Sequence, residues 1–492
     1  MKIVASKDLA VSDCLVIPFF EGKEKAVLAC QKKEYASLPP VELLDFRGEE
    51  GEIFFFYREN EKRVILLGLG SEAKVNEESI RNSYAAVIKA SQKKKCKAVS
   101  IMVPELPALS KEQVVQSVCE GLFLAAYVFE KWKTDEKKKT VPVEKIILVD
   151  LDERFHSIIQ KVEFISSGVY LARDLVNQNA DYKTAKKLSE IAKSLEKCSS
   201  NLKVTILDKT QIEKEKMGLL LAVNKASAEE PTFTLLCYTG NKASKDHTVL
   251  IGKGITYDTG GLSLKPSTGM ETMKVDMSGA AIVLGTMSVI ASLGLPINVT
   301  GVIPATDNAI GSRAFKPGDV AKGFSGKTVE IANTDAEGRL ILADAIAYAI
   351  DRLHPTRIID LATLTGAIVV ALGEEISGLF SNNDELAKQL EMASKKTGEL
   401  IWRIPLHDGY KKMLKSDIAD LKNIGAAGKA SSITAALFLQ EFVKEGFSWA
   451  HLDIAGVAYL SEPKGYYSTR GTASGVRLLV EFLQTLPQEK TL

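Results

Sequence analysis

The sequence predicts an α/β fold in two domains: a smaller N-terminal α/β domain and a larger C-terminal domain. The larger domain is expected to hold a mixed, mostly parallel sheet covered by helices on both faces. The chain has 492 residues, which is longer than one hydrophobic core usually serves. Short β-branched or apolar runs alternate with helical patterns, as they do in α/β proteins. In the C-terminal part these runs are apolar throughout, which indicates strands that are buried on both faces.

Strand-like runs in the N-terminal third define the smaller domain. Residues 64–67, 98–103 and 145–149 are β-branched or apolar, and helical patterns lie between them. This alternation predicts strands that are joined by crossover helices. The lysine-rich runs at 93–97 and 137–139 are most simply solvated faces.

An amphipathic helix is predicted between the two domains. Apolar side chains recur there at helical spacing and form one stripe, made of Ile158, Val162, Ile165, Val169 and Ala172. We therefore predict an N-terminal α/β domain over residues 1–160, a connecting helix and linker over 161–182, and the larger domain over 183–492.

Apolar segments dominate the chain after residue 203. Those with strand character are TLLCYTG, HTVLIGKG, INVTGVIPA, TVEIAN, RIIDLATL and WAHLDIAG. Helical patterns lie between them, notably RLILADAIAYAIDRL and SSITAALFLQEFV, and a polar helix is expected near 183–197. Strands of this kind need helices on both sides of their sheet.

Composition and charge exclude several classes of protein. The chain is 46% hydrophobic and 25% charged, with a formal net charge of +1, so no global feature indicates nucleic acid or an anionic membrane. Six cysteines are scattered without a CxxC pair, which favours a reducing, cytoplasmic compartment over a disulfide framework. The HExxH motif is absent, so a zinc helix of that type is excluded. No signal peptide is expected, because the first residues contain no continuous apolar stretch.

One uncharged stretch is long enough to cross a membrane. No charged residue occurs from 277 to 306. Gly294 and Pro296 interrupt this stretch, so we expect a buried helix over 278–293 and then a buried strand over 298–304. The prediction is therefore a core helix and no membrane span.

Charged residues gather where the predicted buried strands end and where the buried helix begins. The segments concerned are KGITYDTGGLSLKP after the strand at 248–252, METMKVDMSGAA before the helix, and NTDAEGR after the strand at 328–332. Functional loops of α/β sheets leave the carboxyl ends of strands, so these segments are expected to converge. Their candidate functional side chains are Lys253, Asp258, Lys265, Asp276, Asp335, Glu337 and Arg339.

Carboxylates that converge in this way would repel each other. The three aspartates and Glu337 would bring four negative charges together, and some of them would have to protonate. Two divalent cations would cancel the four charges, and hard oxygen ligands suit Mg, Mn or Zn. Two such ions can activate a water and clamp a hydrolytic transition state, with Lys265 and Arg339 placed to stabilise an oxyanion. Spacing alone thus favours a divalent-metal hydrolase or a phosphotransferase.

Each motif also has a simpler interpretation. The Gly-Lys-Gly turn at 252–254 is similar to a phosphate cradle, but the GxGxxG pattern fails at Tyr257 and the P-loop pattern is absent. The DAEG turn lacks the spacing of a calcium loop. Asp276 alone is explained by the dipole at a helix start, and Met273 by core packing. NTDAEGRL on its own is compatible with a solvated turn.

The octet NTDAEGRL resembles the signature of the leucyl (cytosol) aminopeptidase family letter for letter. KGITYDTGGLSLKP, MKVDMSGAA and DLATLTGAIVVALG are similar to other core blocks of that family and stand in the same order. The resemblance covers residues 165–490 and is weak over the first 150. It also fades in DLVNQNADYKTA and AVNKASAEEP, where the family more often has a proline or a glycine-containing turn, so the loop geometry there stays open.

That resemblance implies a dimetal exopeptidase with a larger catalytic domain. It implies that Asp258 and Glu337 bridge two divalent ions, either Mn or Zn. Asp335 would complete one ion, and Lys253 with Asp276 would complete the other. Lys253 would bind as a neutral amine, and deprotonating an ordinary lysine at pH 7 costs about 4–5 kcal/mol. Burial and the adjacent ion must offset this cost.

The resemblance also implies roles for residues around the ions. Lys265 would polarise the scissile carbonyl, and Arg339 would hold a bicarbonate ion that serves as general base. Substrate or anion contacts are implied at Met273, Asn333, Thr363, Leu364 and Gly366. The expected reaction releases N-terminal amino acids, with leucine and other apolar residues preferred, from peptides in the cytoplasm. The expected assembly is a homohexamer.

Two other functions stay open at this point. Some bacterial members of the family are DNA-binding accessory proteins, which the near-neutral charge of this chain disfavours. A catalytically inactive relative is the other alternative, which the presence of all seven charged candidates disfavours.

Overall fold

The fold comes from a computed structural model and consists of two compact units. Residues 1–22, 27–30, 45–57, 63–426 and 428–486 are described. One unit comprises Met1–Ser166 with Glu462–Thr469, and the other comprises Ser167–Ser461 with Arg470–Leu492. The division after Ser166 falls within one long helix, and the domain boundaries 1–160, 161–182 and 183–492 stay predictions.

The N-terminal unit is an α/β structure built on one sheet. Its described strands are β1 (Lys2–Ser6), β2 (Cys14–Phe20), β3 (Val27–Leu28), β4 (Ile53–Phe56), β5 (Val64–Gly68), β6 (Ala98–Met102) and β7 (Lys145–Val149). Its helices are α1 (Glu77–Lys93) and α2 (Lys111–Ala126), and the long helix α3 (His156–Asn177) begins in it. The strand order is β1-β7-β6-β2-β5-β4, with β3 beside β2. The strands from β1 to β5 in this order are parallel, whereas β3 and β4 are antiparallel to their neighbours.

The larger unit contains more strands and helices. Its strands are β8 (Leu202–Leu207), β9 (Thr232–Thr239), β10 (His247–Gly252), β11 (Gly254–Asp258), β12 (Asn298–Asn308), β13 (Val320–Lys322), β14 (Thr328–Glu330), β15 (Arg357–Ala362), β16 (Ser377–Ser381), β17 (Ile401–Arg403), β18 (Leu421–Lys422), β19 (Ser448–Asp453), β20 (Tyr459–Leu460) and β21 (Arg470–Gly471). Its helices are α4 (Ala185–Ser194), α5 (Lys209–Lys214), α6 (Gly218–Asn224), α7 (Ser267–Met270), α8 (Ser278–Leu293), α9 (Gly338–Tyr348), α10 (Gly366–Leu372), α11 (Asp384–Thr397), α12 (Ser431–Gln440) and α13 (Val476–Thr485).

One mixed sheet forms the centre of the larger unit. Its described strands run in the order β17-β16-β19-β15-β10-β12-β9-β8, and β11 extends the end of β12. The inner strands β19, β15, β10 and β12 are parallel, whereas β8, β9 and β16 each pair antiparallel with a neighbour. The inner strands therefore all end at the same edge of the sheet. A small sheet, β13-β14-β18, lies outside this path.

Helices cover both faces of the inner strands, because side chains alternate along each strand. Val249 and Ile251 of β10 pack in one apolar cluster with α9. Gly252 faces the other way, since a Cβ there would lie 2.4 Å from the Gly279 carbonyl of α8. Gly301 of β12 likewise faces α8. The predicted sheet with helices on both sides is confirmed.

The uncharged stretch is a core helix of this unit. In the described part of the chain, Ser267–Leu293 is the one helical stretch long and apolar enough to cross a bilayer, and 89% of its most apolar window is buried. Helix α8 covers the predicted range, and Gly294 ends it with φ 63°. β12 continues to Asn308, four residues beyond the predicted strand.

Other predicted elements differ mainly at their ends. The strand predicted at 328–332 ends at Glu330, because the chain turns there into the charged octet. The long helical pattern after Gly338 becomes a π-helix at Ala349–Leu353, and the polar helix ends as a 3-10 turn at Leu195–Cys198.

Candidate metal centre

Lys253 directly follows β10 at the carboxyl edge of the sheet. Its side chain is buried, and its ammonium nitrogen lies 2.8 Å from Asp276 Oδ1 and 2.9 Å from Glu337 Oε1. The same nitrogen donates to the Thr363 carbonyl at 2.9 Å. Burial disfavours the charged form, but the attraction of Asp276, Glu337 and Asp258 outweighs it, so the pKa of Lys253 is raised. In this structure Lys253 is an ion-paired ammonium.

Gly338 makes this position of Lys253 possible. A Cβ at Gly338 would lie 2.3 Å from Lys253 Cε and 2.6 Å from Nζ. Any other residue at the start of α9 would therefore push the lysine out of the centre. The glycine of the octet is explained by this close approach.

Asp258 ends β11 and is held by the loop that follows it. Its Oδ1 accepts hydrogen bonds from the Gly260 backbone and from Asn308 Nδ2, both at 2.8 Å. Its Oδ2 lies 2.9 Å from Lys265 Nζ, and this lysine also contacts Asp335. Gly260 has φ +84°, a conformation that favours glycine, and the turn it makes brings Lys265 back beside the strand end. Lys265 thus lies between two carboxylates.

Asp276 lies in the 3-10 helix Met273–Met277, just before α8. Its Oδ1 accepts hydrogen bonds from Lys253 Nζ and from Thr363 Oγ1, the latter at 2.7 Å. Burial is the main reason that the pKa of Asp276 is raised to about 6, and repulsion from Asp258 adds to it while Lys253 opposes it. The dipole at a helix start is therefore not the only reason for an aspartate here.

Asp335 and Glu337 come from the octet between β14 and α9. The Asp335 N–H donates to Asn333 Oδ1 at 2.7 Å, which closes a tight turn. Glu337 is buried, and burial followed by repulsion from Asp258 raises its pKa to about 8. Burial also raises the pKa of Asp335. Neither Glu337 oxygen accepts a hydrogen bond from the described residues, although Oε1 forms an ion pair with Lys253 Nζ.

The donor set fits divalent metal ions. Asp258, Asp335 and Glu337 each offer a carboxylate oxygen, and these three atoms lie within 4.8 Å of one another. Glu337 and Asp276 also keep carboxylate oxygens without a hydrogen bond from the described residues, although Lys253 Nζ lies 2.8 Å from Asp276 Oδ2 and 2.9 Å from Glu337 Oε1 as an ion pair. Burial, with repulsion from Asp258 added to it, raises the pKa values of Asp276 and Glu337. Hard oxygen donors in this arrangement match Mn²⁺, Mg²⁺ or Zn²⁺.

Arg339 lies in the first turn of α9, beside the carboxylates. It is 6% exposed, and its Nη1 donates to the Asn423 carbonyl at 2.9 Å. Its Nε has no hydrogen-bond partner among the described residues. Burial lowers the pKa of Arg339 to about 10, so the guanidinium stays charged at neutral pH. A buried cation with a spare donor can hold an anion.

Comparison with protein-family models decides the family. The model for the catalytic domain of the cytosol aminopeptidase family matches residues 170–480, and the model for that family's N-terminal domain matches residues 16–136. The chain belongs to the cytosol aminopeptidase family. The resemblance carried by the octet and the two-domain α/β architecture are thereby confirmed.

Relatives of this aminopeptidase match it along nearly its full length. A "Probable cytosol aminopeptidase" of Protochlamydia amoebophila is 47% identical over 486 residues, which cover 97% of each chain. One of the same name from Chlamydia trachomatis serovar A is 48% identical over 483 residues, 96% of each chain. Such identity over whole chains supports aminopeptidase activity.

Solved structures show the same fold. A mutant of tomato leucine aminopeptidase matches with a TM-score of 0.87 and 33% identity, over 98% of this chain and 96% of that one. The bottromycin maturation enzyme BotP in complex with Mn matches with a TM-score of 0.83 and 30% identity, over 96% of this chain and 99% of that one. The chain is a metallo-aminopeptidase of a family that depends on two metal ions. Nothing in these comparisons supports the DNA-binding alternative.

The predicted substrate-side positions of the aminopeptidase surround the charged cluster. Thr363 bonds both Asp276 and Lys253, so it contacts two prospective ligands. The Leu364 N–H donates to Asp453 Oδ1 at 3.1 Å and is therefore engaged within the protein. At Gly366 the position that a Cβ would occupy is open space. Met273 is half-buried, and the amide oxygen of Asn333 accepts the hydrogen bond that closes the octet turn.

Sequence reasoning missed several buried polar residues of the aminopeptidase. Asn308 and Asp453 end β12 and β19, so the rule that polar residues at carboxyl ends of strands are functional would have found them. Asn423 follows the two-residue strand β18 and gave no such signal. Lys183, in a segment that departs from the family pattern, donates to the Lys274 carbonyl and thereby ties down the 3-10 helix of Asp276.

Proposed function

We propose that this aminopeptidase removes N-terminal leucine and other apolar residues from peptides, using two divalent ions held by the residues described above. The observation that carries the proposal is the convergence of five candidate ligands from three separate segments. They are Lys253, Asp258, Asp276, Asp335 and Glu337. Their buried carboxylate oxygens without hydrogen bonds are best explained by bound cations.

The ligands divide into a shared pair and two outer sets. In the proposal Asp258 and Glu337 would serve both ions, Asp335 would help to hold one, and Lys253 with Asp276 would help to hold the other. When bound, the ions supply an activated water and polarise the scissile carbonyl. Lys253 must give up its proton to act as a ligand, and the shared Glu337 must be ionised as well. Either Mn²⁺ or Zn²⁺ suits this mixture of oxygen and nitrogen donors.

Lys265 is proposed to act on the substrate. It is 18% exposed and Asp335 is 33% exposed, whereas Lys253, Asp258 and Glu337 are almost fully buried. Substrate therefore approaches from the side of Lys265. The ammonium group is positioned to donate a hydrogen bond to the carbonyl oxygen as negative charge develops on it.

Arg339 is proposed to hold the general base. Its Nε lacks a hydrogen-bond partner among the described residues, and its side chain is buried next to Glu337. Bicarbonate is the small anion that we assign to it, because that anion can accept a proton from the attacking water. Backbone near Gly366, which borders open space, would complete the anion site.

Preference for apolar N-terminal residues is proposed from the side chains near the ligands. Met273 is half-buried three residues before Asp276, and Thr363, whose hydroxyl donates to Asp276, carries a methyl group. One methylene in such a pocket changes discrimination by only about 1–3 kcal/mol, so the preference is broad. The tomato structural relative is named a leucine aminopeptidase, which agrees with this proposal.

A cytoplasmic location and a homohexameric assembly complete the proposal. Cys14, Cys96, Cys119, Cys198 and Cys237 form no disulfide among the described residues, which agrees with a reducing compartment. Light scattering of the purified chain tests the assembly, since a hexamer of this 53.5 kDa chain is easily separated from a monomer or trimer.

Metal add-back tests the proposed function. The protein is stripped with a chelator, and Mn²⁺, Zn²⁺, Co²⁺ and Mg²⁺ are returned separately with leucine-p-nitroanilide as substrate. We expect no activity in the chelator, recovery with Mn²⁺ or Zn²⁺, and weak hydrolysis of the glutamate analogue. The N-acetylated leucine substrate is the control, because an exopeptidase needs a free α-amine. Activity that survives full chelation would overturn the proposal.

A further inference from the structure

Asn423 is a buried residue that is not a proposed metal ligand, and it contacts the backbone at the start of the octet. It is 0% exposed and follows β18, which pairs in parallel with β14. Its own N–H donates to the Glu330 carbonyl at 3.0 Å and so continues that pairing by one residue. The Asn423 side chain is thereby delivered to the point where the chain leaves β14 and enters the octet.

The amide group of Asn423 is used completely. Its Oδ1 accepts hydrogen bonds from the Ala332 N–H at 2.9 Å and the Asn333 N–H at 3.3 Å. Its Nδ2 donates to the Asn333 carbonyl at 2.7 Å and the Ala336 carbonyl at 3.3 Å. Four backbone groups on both sides of Asp335 are therefore bound to one side chain.

The backbone of Asn423 also binds Arg339, the arginine that is proposed to act in catalysis. Its carbonyl accepts a hydrogen bond from Arg339 Nη1 at 2.9 Å. Ala336, which the side chain contacts, is the residue directly before Glu337. Hydrogen bonds from this one residue thus fix the backbone around Asp335 and Glu337 and orient the guanidinium of Arg339.

We infer that Asn423 is a positioning residue, which places the octet carboxylates for divalent-ion binding and turnover through its four side-chain hydrogen bonds. This inference rests on the proposed function, because it assigns a role toward the same ions. The ligand loop lacks regular structure between Glu330 and Gly338, so its geometry depends on such tertiary bonds. Groups that orient metal ligands typically affect metal affinity or activity by about 10–100-fold.

A half-buried asparagine in the central sheet provides a matched control. Asn298 begins β12 at the amino edge of that sheet, and its side chain also bonds only to loop backbone. Its Nδ2 donates to the carbonyls of Asn241 at 2.8 Å and Ser244 at 3.0 Å, and its Oδ1 accepts from the Asn241 N–H at 3.1 Å. Removing either amide leaves comparable backbone groups unpaired, but only one of them supports the octet.

The test measures Mn²⁺ affinity and steady-state kinetics together. Asn423→Ala, Asn423→Asp and Asn298→Ala are prepared in the full-length chain, and their thermal midpoints are recorded. Mn²⁺ binding to the metal-stripped proteins is measured by calorimetry, and kcat and KM are measured with leucine-p-nitroanilide at saturating Mn²⁺. Asn423→Asp keeps the shape and the acceptor but loses both donors, so it remains informative if the alanine variant does not fold.

We expect both Asn423 variants to bind Mn²⁺ about 10–100-fold more weakly and to show a kcat lower by a similar factor, with KM little changed. Asn298→Ala should lose thermal stability and keep Mn²⁺ affinity and kcat within about twofold of wild type. Asn423 variants that retain both values overturn the inference, and so does an equal loss in Asn298→Ala. Wild-type protein that neither binds Mn²⁺ nor hydrolyses the substrate would instead overturn the proposed function, and the inference with it.

Discussion

The polar groups at the two edges of the central sheet are paired differently. At the amino edge of β10 and β15, Arg357 makes a bidentate ion pair with Asp246 at 2.6 and 2.9 Å and donates to Thr248 at 2.8 Å. At the carboxyl edge of the same strands, Glu337 and Asp276 keep oxygens that accept no hydrogen bond from the described residues. The polar groups at the amino edge are thus hydrogen-bonded, whereas some carboxylate oxygens at the carboxyl edge accept no hydrogen bond.

This difference separates stability from function. The paired groups at the amino edge stabilise the strand ends and require no bound ion. Crowded carboxylates at the carboxyl edge repel each other and lose hydration, so they disfavour the fold until cations neutralise them. The lysines offset only part of that charge, because each is shared between two acids. Substitutions at the two edges should therefore affect different measurements.

Glu337→Gln should have the largest effect on activity. The substitution keeps the shape of the side chain but removes the charge that the ions need. We expect Mn²⁺ binding to be lost and kcat/KM to fall by more than the roughly 10²–10³-fold that removal of one stabilising donor costs. Calorimetry and leucine-p-nitroanilide kinetics measure both.

Asp246→Asn is the control from the amino edge. It breaks the ion pair with Arg357 and should lower the thermal midpoint while Mn²⁺ affinity and kcat stay within about twofold. A glutamine variant at Glu337 that hydrolyses the substrate at the wild-type rate would remove Glu337 from the ligand set.

Arg339→Ala should have the next largest effect. Loss of the guanidinium removes the proposed holder of the bicarbonate but none of the proposed ligands, so Mn²⁺ stoichiometry should stay the same. We expect kcat to fall roughly 100-fold, which is within the usual contribution of a general base. In carbonate-free buffer, added bicarbonate should accelerate the wild-type protein and leave the variant unchanged. Equal acceleration of both would exclude Arg339 as the bicarbonate site.

Metal affinity should also rise with pH. Lys253 has a raised pKa, and the pKa of Glu337 is raised to about 8, so protons must leave when ions bind. Between pH 6 and 8 the apparent Kd for Mn²⁺ should fall about tenfold per pH unit for each proton released. Calorimetry in buffers of different ionisation enthalpy counts those protons. A Kd that is independent of pH would contradict this proton release.

Stability without metal should change in the opposite direction. The folded-state pKa values of Asp276 and Glu337 are raised above the ordinary values, so the folded protein binds protons more tightly than the unfolded chain. Their contribution is full below the unfolded pKa and is lost as pH rises through about 6 for Asp276 and about 8 for Glu337. In chelator the thermal midpoint should fall over this range, and saturating Mn²⁺ should remove the fall.

The sequence predicted the sheet and its site for one physical reason. Strands buried on both faces cannot carry charges along their length, so the charges collect at their ends, where a pattern makes them visible. Lys253 and Asp258, both in the segment after β10, and the octet after β14 were predicted in this way, and the structure brings them together, with Asp258 at the end of the additional strand β11. Family resemblance was still needed to choose a peptidase over a phosphotransferase.

Residues that orient the ligands were not predictable by the same reasoning. Asn423 acts through backbone groups that are about 90 positions away in the sequence, and β18 before it has only two residues. The engagement of the Leu364 N–H by Asp453 also depends on how β15 and β19 pair. Such contacts follow from tertiary packing and leave no local pattern.

Asp344 offers the last and smallest test, because it is a buried carboxylate on the same helix as Arg339 and accepts all its hydrogen bonds from the protein itself. Its Oδ2 accepts from the N–H groups of Leu219 and Leu220 at 2.9 and 3.0 Å, and its Oδ1 accepts from Phe324 at 2.7 Å. It thereby caps α6, whose own N-cap, Met217, makes no side-chain hydrogen bond.

Asp344→Ala should therefore cost stability and spare activity. Three backbone N–H groups would lose their acceptor, and we expect the free energy of unfolding to fall by about 2–4 kcal/mol in urea titrations. Asp344→Asn keeps one acceptor for α6 and should cost about half as much. The kcat per folded molecule should stay within about twofold in both variants. A large loss of kcat in the asparagine variant would show that a fully hydrogen-bonded carboxylate also contributes to activity. The distinction between hydrogen-bonded structural acids and metal-binding acids would then be wrong.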